Sequence, residues 1–486
     1  MTDLAPPEAT AVRPTDAAVP MPIALSRADV AGLSTFGRNI FVADAGGNAT
    51  PALLTACREV EGVVVPPVPG DLFGGGLDRV LHNYLAGMHV GYGLSGLTDE
   101  TTFLLAVRAL ADCAYEAVGD GRTVVDASVA NTPLAHVIQA VYPDAVFVVV
   151  DPPAGPSPAP QLLTGPHVLR LSTADVADRT GLVERLAAAC RAAASHARPA
   201  PPAAALTLPG RPVFVVGCPR SGTTWLQHML AAHPATGGPR HETAMFSSVR
   251  GLVDNRALHA WIGRDELFGA LRRFCEGLLA RCMADQAPDA TRLIEKTPHH
   301  ALHLDLVTAM FPDASIVGIH RDGRDVVRSL LEIEFGTQSA AVAAEGWLQS
   351  TRAVREFASQ STRTRDERYE ELLAEPVGRV SDLMRWLDLR VDDSVFSELR
   401  ARAGTRVSQH GTTGEVGSGK WRDIAPAHLR TIYRIAGDQL VALGYMTAEE
   451  LAAVRRDPAY IAAAAAARLK AQAKPIARYL RAARRR

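Results

Sequence analysis

The sequence predicts an α/β protein in tandem duplicate, each copy a parallel sheet flanked by helices, and three observations carry that expectation. Short apolar, β-branched runs near Val213, Leu293 and Ser315 alternate with helical stretches, as in a sheet whose strands are covered on both faces. The run Val213 to Val216 leads through a tight polar loop, Gly217 to Gly222, into a helix opened by Thr223. The chain also repeats itself. Phe41 falls on Phe214, and Val124 to Val150 falls on Leu293 to Ile319 at nearly the same offset, with Pro143-Asp144-Ala145 over Pro312-Asp313-Ala314.

Taken in order, residues 1–30 read as a Pro- and Ala-rich disordered lead. They have neither the basic start nor the apolar stretch of a secretory signal, and no segment approaches the length of a membrane span, so the expectation is a cytoplasmic protein. The first copy occupies 31–196, with a strand-like run at Asn39 to Ala43, the loop DAGGNA and a helix from Thr50. Residues 197–210 form a Pro/Ala linker, and the second copy spans 211–448. A basic, Ala-rich helix over 449–486 closes the chain. From Arg468 onward it has eight Lys or Arg residues and no acid. Contact with an anionic surface is one reading of that tail; its apolar face is mostly alanine, which favours a solvated helix.

Composition narrows the function. At 486 residues two domains are expected. A formal charge of −1 leaves no electrostatic footprint for nucleic acid, so any anion binding must be local. The six cysteines form no C-x-x-C and have no histidines at metal spacing, so no metal is expected and buried thiols fit better than a disulfide framework.

The local anion site is the Gly217 loop. Successive backbone N–H groups and the positive end of the following helix point at one spot. Gly217-x-x-x-x-Gly222 has the spacing of a nucleotide-binding P-loop, yet Thr223 and Thr224 stand where such loops carry Lys and then Ser or Thr. The cation is instead Arg220, beside Ser221 and ahead of Trp225. A second anion element is His320 to Leu331, where Arg321 ends a strand and Ser329 lies about two helical turns on.

Cys218 to Trp225, CPRSGTTW, resembles the 5′-phosphosulfate loop of the sulfotransferases that use 3′-phosphoadenosine 5′-phosphosulfate (PAPS). Glu295-Lys296-Thr297-Pro298 resembles the E-K-[ST]-P segment of their carbohydrate, tyrosyl-protein and bacterial branches, and Arg368 to Leu372 resembles their R-Y-E-D-L. Gly417 to Arg422, GSGKWR, resembles the C-terminal loop that closes over the nucleotide. The pieces succeed one another in the family's order between Arg211 and Tyr445.

The resemblance implies a P-loop-like sulfotransferase fold, PAPS as co-substrate and no metal. It assigns the nucleotide to Arg220, Ser221, Gly222, Thr223, Thr224, Trp225, Arg321, Ser329, Tyr369, Lys420, Trp421 and Arg422, with Arg321 and Ser329 on the 3′-phosphate. Trp225 is open between stacking on adenine and core packing.

Sulfuryl transfer to a hydroxyl or amine needs cations near the oxygens that gain charge and a base near the acceptor's proton. Arg220 and Lys296 can supply the first. For the second, Glu242 resembles the family's glutamate base, and His299 stands near the histidine of the small-molecule branch; Glu242 is preferred because partial burial is enough to make a carboxylate a base. The first copy has Gly47, Ala127 and Pro152 opposite Arg220, Lys296 and Arg321, so it reads as a degenerate scaffold. Two other classes stay on the table. A P-loop kinase or NTPase lacks its lysine here, and a non-catalytic nucleotide-binding protein is suggested by the degraded copy. The acceptor is open among small-molecule, glycan, lipid and peptide groups.

Overall fold

The computed structural model of the protein describes residues 39–44, 49–88, 93–128, 131–151, 163, 167–194, 206–333, 337–403 and 419–468. The N-terminal lead, most of the linker, Gly47, Pro152 and the tail beyond Arg468 lie outside the described residues. The chain divides into two compact units.

In the first unit, β1 (Ile40–Asp44), β2 (Val63–Val64), β3 (Thr123–Asp126), β4 (Val146–Val150) and β5 (Val168–Leu171) form a sheet in the order β2-β3-β1-β4-β5. In the second, β6 (Val213–Gly217), β7 (Thr236–Gly237), β8 (Arg292–Lys296), β9 (Ser315–His320) and β10 (Thr364–Arg368) form a sheet in the order β10-β9-β6-β8-β7. Read from its other edge, the second order is the first, strand for strand, and all described pairings in both sheets are parallel.

Register repeats as well as order. Phe41 pairs with Asp126 and Phe147, as Phe214 pairs with Glu295 and Ile316. Val63 pairs with Thr123, as Thr236 pairs with Arg292. A one-residue slip would turn every side chain to the other face, so two sheets with matched register are the structural form of the sequence repeat.

The boundaries of the units differ from a simple cut at the linker. The first unit takes its described residues from Met1–Met88, Thr98–Thr207 and Ser248–Leu278, and the second from His89–Leu97, Leu208–Ser247 and Leu279–Arg486. The stretch after Ser248 is fastened within the first unit by side chains rather than by chain proximity. Trp261 Nε1 donates to the Val68 carbonyl at 2.8 Å, and Asn255 Nδ2 donates to that of Gly70 at 3.0 Å.

The apolar run of β6 is explained by burial on both faces. Val213 and Val215 join a cluster with Leu226, Met229 and Leu230 of the helix Thr223–Leu230, while Phe214 faces Phe246 and Phe311 at ring distances of 5.4 and 5.5 Å. Each such side chain withdrawn from water contributes about 1.5–3 kcal/mol, and together they hold the loop that follows β6 at a rigid sheet edge. Among the described residues no helix is long and apolar enough to cross a membrane. None of the six cysteines is bridged. Burial pushes the Cys218 thiol, next to the loop, up to about 12.

Candidate active site

The site is built where β6, β8 and β9 end. In parallel strands these carboxyl ends lie side by side: Val215 pairs with Lys296, and Gly217 pairs with Ile319, two residues before Arg321. Ligands of open parallel sheets gather at such edges.

Between β6 and its helix the backbone turns left-handed twice. Arg220 has φ 74°, and Gly222, the residue before the helix, has φ 100°. A side chain at Gly222 would stand 2.4 Å from the Tyr369 ring, and one at Gly217, with φ 154°, would meet the Ile319 carbonyl at 2.4 Å. Both glycines of the motif are therefore required by the packing. The hydroxyl of Ser221 is buried and has no hydrogen-bond partner among the described residues, in the concavity of a loop that presents amides and a helix N-terminus. An anion with acceptor oxygens fits that cradle.

Two cations converge on the loop. Arg220 Nε donates to Ser329 Oγ at 2.9 Å, and Arg321 Nη1 donates to the Arg220 carbonyl at 3.4 Å. Loss of hydration, then the neighbouring Arg321, hold the Arg220 guanidinium below its ordinary value, with Tyr369 opposing. Two guanidiniums held together this way are stabilised by a bound anion. Arg321 also lies over the Tyr369 ring at 5.0 Å.

The remaining residues expected to hold the nucleotide divide. Thr223 is buried and Thr224 half-buried in the first helical turn. Trp225 is 5% exposed and packs in the apolar cluster with Tyr369 edge-on at 6.5 Å, so here it is part of the core. Lys420 and Trp421 are half-buried and Arg422 is exposed in a short turn, Lys420–Asp423. That turn is tied to the Arg321 side by a residue the motif reading passed over. The buried Asp325 accepts from the Gly419 and Trp421 amides at 2.7 and 2.8 Å and lies 3.5 Å from Arg321 Nη2. Arg324 stacks on the Trp421 ring at 3.8 Å. The signal was present, since Asp325 follows Arg321 by one helical turn, but an R-x-x-x-D pair is also what a solvated helix face carries.

On the other side of the loop, Lys296 is fully buried and its Nζ donates to Glu242 Oε1 at 2.8 Å. Glu242 is 16% exposed. His299 is the second residue of the turn Pro298–His303 and is exposed. Loss of hydration there holds its imidazole below the ordinary value, with Glu242 pulling it up and His300 pushing it down. Both candidate bases are therefore at the same edge, and Glu242 is the one engaged with the buried cation.

Residues 212–393 match the family model described as "Sulfotransferase family". Over that stretch the chain is similar to the sulfotransferase family. The match contains the Gly217 loop, Glu242, Lys296, Arg321, Ser329 and Tyr369. Among curated relatives, the nodulation protein NoeE of Sinorhizobium fredii is 25% identical over 276 residues, 48% of this chain and 65% of that protein. The protein-tyrosine sulfotransferase of Drosophila melanogaster is 26% identical over 200 residues, 38% of this chain and 39% of that protein. An uncharacterized protein of Aquifex aeolicus is 29% identical over 137 residues, only 18% of its length. The chain thus spans less than two thirds of each of these three relatives. Among solved structures, sulfotransferase STF9 of Mycobacterium avium aligns with a TM-score of 0.35 at 16% identity, covering 49% of this chain and 77% of that one. Mouse sulfotransferase SULT7A1, complexed with PAP, aligns at 0.31 and 13% identity, covering 52% and 88%.

The first unit does not reproduce the sulfotransferase site. By register Asp44 is the counterpart of Gly217, since Asp44 pairs with Val150 as Gly217 pairs with Ile319. Its carboxylate accepts from the Ala49 and Thr50 amides at 3.0 and 2.9 Å, so this helix end is filled by the chain itself. Ala127 stands opposite Lys296 and carries no charge.

Proposed function

We propose that the protein transfers the sulfuryl group of PAPS to a hydroxyl or amine acceptor, with the reaction centred in the second unit. The observation that carries this reading is the buried Lys296 ammonium held on the Glu242 carboxylate at the strand edge that also bears the Arg220 loop. PAPS supplies a sulfuryl group on a phosphate leaving group. The amides and Ser221 hydroxyl of the loop suit its 5′-phosphosulfate, and Arg321 with Ser329 suits its 3′-phosphate.

Glu242 then serves as the acceptor's base. The acceptor oxygen forms its bond to sulfur as the sulfur–oxygen bond to the 5′-phosphate breaks, and the acceptor's proton passes to the Glu242 carboxylate. Arg220 and Lys296 face the oxygens that gain charge, and Lys296, already desolvated, needs no reorganisation to do so. The acceptor is a small-molecule, glycan, lipid or peptide group. A cytoplasmic location belongs to the same proposal.

Calorimetry with PAP, and with ATP and Mg²⁺ for comparison, tests the donor. Metal-independent PAP binding is expected; ATP binding that requires Mg²⁺ would favour a P-loop NTPase and sink the reading. Glu242→Gln should keep PAP affinity while kcat falls about 10²–10⁴-fold, and His299→Ala should do much less. A search of cell extract with labelled PAPS identifies the acceptor.

A further inference from the structure

The reaction described above uses Glu295-Lys296-Thr297-Pro298 only through its lysine. Glu295 and Thr297 are 1% and 0% exposed, and successive residues of a strand point to opposite faces, so the strand end that sends Lys296 to Glu242 sends Glu295 the other way. There one oxygen of the buried carboxylate organises a set of bonds, while the other lies 3.5 Å from His300 Nε2. Glu295 Oε1 accepts from Thr297 Oγ1 at 2.6 Å and from Thr243 Oγ1 at 2.8 Å.

Each hydroxyl gives its one proton to the carboxylate and uses its lone pairs to take backbone amides. Thr297 Oγ1 accepts from the Thr243 amide at 2.9 Å and, at longer range, the Ala244 amide at 3.4 Å. Thr243 Oγ1 accepts from the Met245 amide at 3.2 Å. Every amide from Thr243 to Met245 is thus taken by a side chain, in a turn that places Ala244 at φ 49°. The peptide of Glu242 itself is held from another direction, its carbonyl accepting from the Gly93 amide at 2.7 Å.

Buried polar groups without partners are costly, and a turn whose amides are taken by two threonine hydroxyls set on one carboxylate loses support when any of the three is removed. We propose that Glu295 and Thr297 are positioning residues of the sulfuryl-transfer centre, holding the Glu242–Met245 turn so that the Glu242 carboxylate stays on Lys296. The proposal rests on the reading of Glu242 as the base. It accounts for three of the motif's four residues: one meets the base, and the residues on either side aim it.

The test pairs a structural readout with a kinetic one. Thr297→Val keeps the shape and removes the hydroxyl, and Thr297→Ser restores it; Glu295→Gln and Thr243→Val serve if the valine variant does not fold. Amide hydrogen exchange of the peptide spanning Thr243 to Met245 should rise about tenfold or more in Thr297→Val and return toward wild type in Thr297→Ser. Release of PAP from PAPS in cell extract should fall about 10–100-fold in Thr297→Val with PAP affinity unchanged, the size of loss that follows from a misplaced group. In a Glu242→Gln background the same substitution should add little. Unchanged exchange in a folded Thr297→Val, or an equal kinetic loss in both backgrounds, overturns the proposal. An opened turn beside a Glu242→Gln enzyme of near-normal turnover upholds the clamp and removes only the assignment of the base.

Discussion

Replacing Lys296 by methionine keeps the length of the side chain and removes its charge, which leaves the Glu242 carboxylate beside a buried apolar group. Breaking a buried ion pair by taking one partner costs about 3–5 kcal/mol, because the other charge is left without compensation. Lys296 is fully buried and Glu242 is 16% exposed, so water reaches the carboxylate and the lower end, about 3 kcal/mol, is expected. Glu242→Gln removes the carboxylate from beside the opposite charge, and the double variant removes both charges. The three together form a cycle whose coupling should be about 2 kcal/mol, read from urea midpoints at neutral pH. This measurement needs no acceptor. In turnover, Lys296→Met should lower kcat about 10²–10³-fold, the scale of one lost charge-stabilising donor, while PAP still binds. Additive effects on stability, with the double variant losing the sum of the singles, would show that the two groups do not meet and would refute the mechanism drawn from them.

Three further expectations follow from the same site. Arg321→Ala and Ser329→Ala should weaken PAP by about 1.5–3 kcal/mol but adenosine 5′-phosphosulfate much less, which parallel titrations check; equal losses would remove both from the 3′-phosphate. Gly222→Ala must place a methyl group 2.4 Å from the buried Tyr369 ring at φ 100°, so PAP affinity should fall at least about tenfold by calorimetry with the sheet intact by circular dichroism. The third concerns pH. Burial alone would raise the Glu295 carboxyl, but His300 and the hydroxyls of Thr297 and Thr243 outweigh it and hold the group below its ordinary value of 4.5. A depressed carboxyl stabilises the fold above the unfolded value and ceases to as pH falls through the folded one. The stability gap between wild type and Glu295→Gln should therefore be full at neutral pH and close as urea midpoints are followed down below about pH 4.5.

Much of the site was legible because its pieces are local. The strand, the turn and the helix from Val213 to Leu230 are encoded by adjacent residues, and the two glycines at their spacing already demanded a left-handed backbone. The same holds for Arg321 and Ser329, whose separation puts both on one side of a strand-to-helix junction. Trp225 was ambiguous for the opposite reason. An indole on the first turn of a helix can face ligand or core, and only the cluster formed with Leu226, Tyr369 and Leu372 turned it inward. Asp325 was ambiguous, and the roles of Glu295 and Thr297 were invisible, because their partners, Gly419, Trp421 and Thr243, are remote in sequence.

By itself the sequence determined that the chain holds two copies of one parallel sheet and which copy kept its cations. Those properties reside in periodicity, offset and residue type, and the matched registers of β1 with β3 and β4 and of β6 with β8 and β9 are their direct consequence. Only the tertiary structure decided that Glu242 meets Lys296 across 54 residues, that Ser248–Leu278 packs within the first unit, and that Asp44 closes the first copy's helix end. Each of these depends on burial, which is a property of what surrounds a residue, and no spacing along the chain encodes which distant group will be there to meet a charge that has left water.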